Sequence, residues 1–262
     1  MKRTGIIINF IALLCVVLSY GQESGYTKNL QGITKVYIET GTKVAIVASN
    51  NNELKIENQN TKAYKSDGDK TERAKGLKAV YPGGVDETGY GFAVYKEGNV
   101  LRVRDLKSWM QRKGLKIELP KTVDIHIDCG ELGAATFKGF TSEIEVNTNV
   151  GNITLKEVTG PVTAHTQTGT IEVDFVSVNQ SSPITLNSAT GVIDVSLPSG
   201  TKADLNLRST MGTIYTDFDL QMKAPDGMKV VGANRKIETE INGGGVAIVL
   251  RSSTGNVYLR KK

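Results

Sequence analysis

Apolar and polar positions alternate along most of the chain, and in its C-terminal half the alternation falls into copies of one unit. From Val146 to Leu155 the sequence runs Val-Asn-Thr-Asn-Val-Gly-Asn-Ile-Thr-Leu. The pattern is apolar, then Ser/Thr, then Gly, then Ile/Val, then usually a further apolar residue. It returns as Ala164, Thr166, Gly169, Ile171, Val173; as Leu186, Ser188, Gly191, Ile193, Val195; as Leu207, Ser209, Gly212, Ile214, Thr216; and as Leu250, Ser252, Gly255, Val257, Leu259. Period two puts Ile144, Val146, Ile153 and Leu155 on one face, so each unit predicts two short strands flanking a bend. The Ser/Thr continues the inward parity. Its hydroxyl is placed to bond a backbone group of the bend, and the glycine permits the positive φ that such a corner often requires. Thr148, Thr166, Ser188, Ser209 and Ser252 are thereby corner-forming residues, and no histidine is placed to activate them.

The motif glycines are spaced by 18, 22, 21 and 43 residues. The last interval is about twice 21, which makes residues 217–242 a replacement or enlargement of one repeat. A period near 20 residues with two strands is the size of one β-helix coil. Antiparallel hairpins would explain the bend, but not why equivalent positions keep one apolar class from copy to copy. In-register stacking demands that constancy. The prediction is an all-β chain, a parallel β-helix (solenoid) with coils of about 20 residues and irregular insertions.

Upstream, Val36 and Ile38, Val44 and Ile46, then Leu54 and Ile56 alternate between turn residues and read as strands. Phe92 to Val94, Val100 to Val103, Leu115 to Leu119 and the strictly alternating Val123, Ile125, Ile127, Cys129 follow. Residues 59–76 are charged and poor in apolar positions, a solvated loop or short helix. The Gly-rich run from Tyr81 to Gly91 matches neither the Walker nor the dinucleotide spacing and precedes no helix pattern, so it reads as a connection and not a phosphate cradle. Trp109, within the basic Asp105 to Gly114 excursion, is a candidate sugar platform. The organisation read from this is a signal peptide at 1–21, N-terminal strands with loop insertions continuous with the solenoid at 22–119, and the repeat region at 120–262.

Composition narrows the function. Lys2 and Arg3, the apolar run Ile6 to Leu18 and the small-residue exit Ser19-Tyr20-Gly21 form a secretory signal, and the apolar run is too short for a membrane span. Cys15 lies inside that run after Leu14, which argues against lipidation. Cleavage leaves 30 basic and 27 acidic residues, a mild +3. Scattered charge and export both argue against nucleic-acid binding. Cys129 is then the remaining cysteine, which excludes an intrachain disulfide and a cysteine-based metal site. It reads as a small buried strand residue.

The copies Thr-Asn-Val-Gly-Asn-Ile, Thr-Gln-Thr-Gly-Thr-Ile and Ser-Thr-Met-Gly-Thr-Ile, with the closing Ile241-Asn-Gly-Gly-Gly and Ser252-Ser-Thr-Gly-Asn-Val, resemble the DUF4097 family of bacterial exported β-strand-repeat proteins. That family is similar in style to the adhesin-like head GIN β-helix domains. The resemblance is clear over about residues 120–260 and looser over 30–119. It implies a right-handed parallel β-helix in the cell envelope, implies no established activity and supplies no catalytic residues. The acidic residue that many relatives carry after the glycine is replaced here by Asn152, Thr170, Val192, Thr213 and Asn256, which weakens an acidic ion-binding turn.

Chemistry, if present, belongs to the outward columns. The residue three after each glycine gives Thr154, Glu172, Asp194 and Tyr215, with Tyr258 further on. Glu172 and Asp194 a coil apart could share a proton or a hard cation, and Tyr215 and Tyr258 could stack on sugar rings. The column four before glycine, Asn147, His165, Asn187 and Arg208, could supply a base and a cation across the bend. His126 and His165 are too isolated for a metal centre, and neither metal nor cofactor is expected. The leading expectation is a non-enzymatic exported β-solenoid of the cell envelope, periplasmic or surface-located and adhesin-like or scaffolding, with an envelope protein or glycan as partner. Low-specificity binding candidates are Glu172, Asp194, Tyr215 and Tyr258, and the irregular 59–119 and 217–242 segments are further places for function. The alternatives are a β-helix enzyme acting on acidic polysaccharide through Glu172 and Asp194, or a periplasmic partner in envelope-stress signalling.

Overall fold

The computed structural model describes residues 25–58, 73–107, 114–220 and 235–262. Residues 1–21, read above as a signal peptide, Trp109 and most of the 59–76 and 217–234 segments lie outside these residues. The described residues form an all-β solenoid of two facing ten-stranded sheets, sheet I, which holds Ile153–Val158, and sheet II, which holds Ile144–Val150, with a separate two-stranded ribbon of β5 (Val80–Tyr81) and β6 (Gly84–Val85). Each coil places one strand in sheet II and the next in sheet I, and in the five repeat copies the Ser/Thr and Gly corner joins the two.

Among the described residues eight coils stack, and their spatial order is not the chain order. At one end lies β8 (Val100–Asp105) with β9 (Leu115–Pro120), followed by β2 (Lys35–Glu39) with β3 (Val44–Ser49). Next come β10 (Asp124–Asp128) with β11 (Ala135–Lys138), β12 (Ile144–Val150) with β13 (Ile153–Val158), and β14 (Val162–Thr168) with β15 (Ile171–Phe175). Then β16 (Ile184–Thr190) with β17 (Ile193–Leu197) is followed by β21 (Val246–Ser252) with β22 (Val257–Lys261). The last coil is β18 (Ala203–Ser209) with β19 (Ile214–Thr216). Neighbouring coils pair in parallel, as in β12 with β14 and β14 with β16.

Two coils are therefore threaded between coils that are closer to each other in sequence. β2–β3 lies between β8–β9 and β10–β11, and β21–β22 lies between β16–β17 and β18–β19. This corrects the simple reading of residues 217–242 as an enlarged repeat. Within that stretch β20 (Arg235–Ile241) runs antiparallel along β18 as a cap, and the chain then returns inside the stack. Antiparallel strands close the other end as well. β7 (Phe92–Glu97) covers β8, while β4 (Glu53–Asn58) covers β9 and itself carries β1 (Tyr26–Asn29). A solenoid needs such caps because its end coils would otherwise present unpaired strand edges and half an apolar core.

The core follows from the period-two alternation. In sheet II one inward ladder runs Val103, Ile38, Ile127, Val146, Ala164, Leu186, Leu250, Leu207. In sheet I the facing ladder runs Ile117, Ile46, Phe137, Leu155, Val173, Val195, Leu259. All of these side chains are buried. Cys129 is buried at the end of its strand, and desolvation, with a smaller contribution from the Asp128 charge, pushes its thiol up to about 12.

The repeated corner does what the sequence predicts and more: the Gly212 and Gly255 N–H groups donate at 2.9 Å to the Ser209 and Ser252 hydroxyls of their own bends. Each hydroxyl donates to the glycine carbonyl of the adjacent coil: Thr148 to Gly133 at 2.7 Å, Thr166 to Gly151 at 3.1 Å, Ser188 to Gly169 at 2.9 Å, Ser252 to Gly191 at 2.9 Å and Ser209 to Gly255 at 2.8 Å. These bonds stitch coil to coil. The glycine is demanded chiefly by close approach: a Cβ on Gly151 would lie 2.0 Å from the carbonyl oxygen of Gly133, and one on Gly255 1.8 Å from that of Gly191. A positive φ is added only at Gly169 and Gly191 of the five motif glycines.

The Gly-rich run also has a local explanation. The Asp86 carboxylate accepts hydrogen bonds from the Thr88, Gly89, Gly91 and Phe92 N–H groups and from the Thr88 hydroxyl, at 2.7 to 3.3 Å. The loop's anion-binding amides are thus filled by its own side chain. Partial burial pushes the Asp86 carboxyl up, but the bonds from Thr88, Gly91 and Phe92 together outweigh it and hold it below the usual aspartate range.

Candidate functional site

The outward column three after each glycine runs along sheet I as Thr136, Thr154, Glu172, Asp194, Tyr258, Tyr215. Chain order put Tyr258 beyond Tyr215. Threading of β21–β22 puts it between Asp194 and Tyr215, so the two tyrosines become neighbours. Their rings stack with centroids 5.1 Å apart and planes 10° apart.

Glu172 and Asp194 are paired in register, but they are not an isolated carboxylate couple. Arg260, two residues along from Tyr258, forks onto Asp194 with Nε and Nη2 donating at 2.8 and 2.9 Å. Its guanidinium carbon also lies 5.2 Å from the centroid of the Tyr258 ring. The hydrogen bond from Arg260 to Asp194, and then the charge of Asp194, raise the arginine's pKa further. Beside them Lys262 pairs with Asp174, and Asp217 accepts from the Lys261 N–H at 2.7 Å. Glu172 is exposed and has no ionic partner among the described residues. The result is a bonded array of Asp194, Arg260, Tyr258 and Tyr215, in which one carboxylate of the pair is already committed to a cation.

Within the tyrosine pair the two ring faces toward each other are occupied, and Arg260 lies over Tyr258. Tyr215 stands on β19, which with β1 is one of the two edge strands of sheet I among the described residues, and is 49% exposed. Met211, at the corner leading into β19, is also exposed. This end of sheet I therefore offers an aromatic ring and an apolar side chain beside fixed charges.

Sheet II carries a second array that the sequence reading passed over when it treated His126 as isolated. Arg102, Tyr37, His126 and Glu145 are successive neighbours across β8, β2, β10 and β12. The Arg102 guanidinium carbon lies 4.7 Å from the centroid of the Tyr37 ring, which stacks on His126 at 4.4 Å and 11°. His126 Nδ1 lies 2.7 Å from Glu145. The missed signal was positional: Tyr37, Arg102 and His126 occupy the same outward phase of their strands, but only the threaded order makes them adjacent. Among the described residues no three His, Cys, Asp or Glu side chains converge in a cluster able to hold a metal ion. A groove of about 320 Å³ lined by Val176, Val178, Pro198 and Lys202 lies between the turns after β15 and β17, away from both arrays.

Two parallel sheets wound as stacked coils, capped by antiparallel strands and bearing bonded side-chain columns outside, define a capped β-solenoid. The chain belongs to the Toastrack DUF4097 family, whose profile matches residues 93–260. The fold is similar to that in a crystal structure of a putative cell adhesion protein from Clostridium sporogenes ATCC 15579, at 12% identity and a TM-score of 0.46, covering 91% of this chain and 99% of that one. A putative adhesin from Bacteroides fragilis NCTC 9343 aligns at 13% identity and a TM-score of 0.35, covering 91% and 96%. Among curated proteins none matches the sequence.

Proposed function

We propose that this chain is a non-enzymatic, exported, adhesin-like binding protein of the cell envelope, whose contact surface is the Tyr215 end of sheet I. The observation that supports this most is the engagement of Asp194 by Arg260 beneath the stacked tyrosines. Groups held by one another form a preorganised surface, and preorganisation favours binding because little side-chain freedom remains to be lost. A catalytic carboxylate pair would instead need Asp194 free to exchange a proton or hold a cation. The exposed ring of Tyr215 at the sheet edge suits stacking against the apolar face of a sugar. Export rests on the charged, apolar and small-residue pattern of residues 1–21.

The test is a glycan array probed with the mature chain, followed by titration of any bound glycan against Tyr215→Ala and Arg260→Ala. Loss of binding in both variants with unchanged circular dichroism supports the surface; full retention in both refutes it. If the wild type instead depolymerises an acidic glycan, and Glu172→Gln or Asp194→Asn abolishes that activity, the non-enzymatic reading is wrong.

A further inference from the structure

On sheet II the column four before each motif glycine continues through the threaded coil in an order that chain position conceals. Its consecutive members are His165, Asn187, Arg251, Arg208 and Lys236. Arg251 and Arg208 stand directly opposite each other on β21 and β18, and Lys236 of the cap strand stands opposite Arg208 on its other side. All three are exposed. Lys236 pairs with Glu238 at 2.6 Å, whereas neither arginine has an acidic partner among the described residues. Like charges directly opposite across a strand pair repel. Among the described residues the other arginines on the outward face of the coil strands are each answered by a carboxylate: Arg104 by Glu39, Arg102 by Glu97 and Arg260 by Asp194.

We propose that the Arg251–Arg208 row is a binding site for a linear acidic polysaccharide lying along the solenoid axis. The dimensions and the flanks carry this choice. Parallel strands place one column residue about every 4.8 Å, so the five positions from His165 to Lys236 form a straight line of about 19 Å. That line offers two guanidinium forks, each able to grip a carboxylate or sulfate bidentately, with an amide and an imidazole in file beyond them. The positive potential is a strip and not a broad face, because Glu238, Glu240 and Asp204 stand on the neighbouring outward positions of β20 and β18. An anionic membrane would meet those acids together with the arginines. A single-stranded nucleic acid would want aromatic platforms beside its phosphates, and the one ring in the column, the His165 imidazole, stands two positions from the nearer arginine. A chain carrying its anions in single file meets neither obstacle. This site lies on the opposite sheet from Tyr215 and does not depend on the surface proposed there.

The experiment is calorimetric titration of the mature chain with polygalacturonate at low and at physiological salt, alongside dextran, single-stranded DNA and phosphatidylglycerol vesicles as separate arms. Binding of polygalacturonate, weakened by salt and at least tenfold weaker in Arg208→Gln/Arg251→Gln, is the expected result. The Arg208→Lys/Arg251→Lys variant keeps the charge but loses the forks, and is expected to fall between the two. Thermal unfolding of both variants at the wild-type temperature establishes that they are folded. The proposal is overturned if polygalacturonate does not bind, if the Gln variant binds it as well as wild type, or if DNA or vesicles bind more tightly than the polysaccharide. Lys43→Gln, which removes an exposed positive charge near the opposite end of the stack, is expected to leave this binding unchanged, and an equal loss there would mean that bulk charge and not the arginine row holds the polysaccharide.

Discussion

Alanine at Gly255 would part the stack at the threaded coil. A Cβ there would lie 1.8 Å from the Gly191 carbonyl oxygen and 2.3 Å from its carbon, both backbone atoms with no rotamer to escape into. Reaching even the tight limit of 3.0 Å requires β21–β22 to retreat from β16–β17 by about 1.2 Å. The bonds that cross that gap at the corner include the Ser252 hydroxyl to Gly191 at 2.9 Å, the Ser253 N–H to Ser188 at 3.2 Å and the Thr254 N–H to Ala189 at 3.2 Å, three whose geometry the retreat would lose. Lengthened by that amount, none remains a hydrogen bond. At roughly 1 kcal/mol net for each, Gly255→Ala costs about 3 kcal/mol. With a urea dependence of about 3 kcal/mol per molar for a domain of this size, the unfolding midpoint followed by circular dichroism falls by about 1 M. Gly200→Ala is the control, since a Cβ there meets nothing within 4 Å and φ is not positive. If Gly255→Ala unfolds within 0.3 M (about 1 kcal/mol) of the Gly200 variant, the close-approach account of the motif glycine is refuted.

Removing one stitch alone is milder: Ser188→Ala leaves the Gly169 carbonyl without its donor and is expected to cost about 1 to 3 kcal/mol, measured by the same unfolding curves. Asp86 has a folded pKa held below its unfolded one, so its contribution is fully present above the unfolded value and is lost as pH falls through the lower folded value. Amide NMR shifts of Gly89, Gly91 and Phe92 are therefore expected to stay constant into the acid range where exposed aspartates are already protonated, and Asp86→Asn is expected to abolish that transition; a transition at the ordinary aspartate pH would contradict the loop geometry. Cys129, buried and with its thiol pushed up to about 12, is expected to resist iodoacetamide at pH 8 until urea unfolds a chain of residues 22–262, and rapid labelling of the native protein would contradict that burial.

The strands and the inward ladders were legible because each follows from a local rule. Val146, Ile153 and Leu155 alternate, and alternation next to a glycine can mean little else than two strands and a bend. The same holds for Val36, Ile38, Val44 and Ile46 upstream. What the sequence could not reveal is which coil lies on which. The motif is so alike from copy to copy that Ser252 fits Gly191 as well as it would fit Gly212, and only the fold shows that it bonds Gly191. Every misplacement in the outward columns follows from that degeneracy. Chain order puts Tyr258 at the far end, separates Arg260 from Asp194 and omits Arg251 from the column that holds Arg208. The capping role of Arg235–Ile241 was hidden for a related reason, since antiparallel pairing leaves the same period-two pattern as parallel pairing.

The threaded coil also bears on the order in which the molecule can be built. Synthesis delivers β18 and β19 before residues 246–262 exist, and β16–β17 already offers them a matching apolar ladder and a free Gly191 carbonyl. A stack one coil short, with β18–β19 docked directly on β16–β17, satisfies the same local chemistry and must be reopened before the final structure can form. Refolding of residues 22–262 is expected to show a slow phase as that contact is released, while a chain ending at residue 245 folds to the shorter stack without it. Single-phase refolding of residues 22–262 would mean that the gap is kept open from the start.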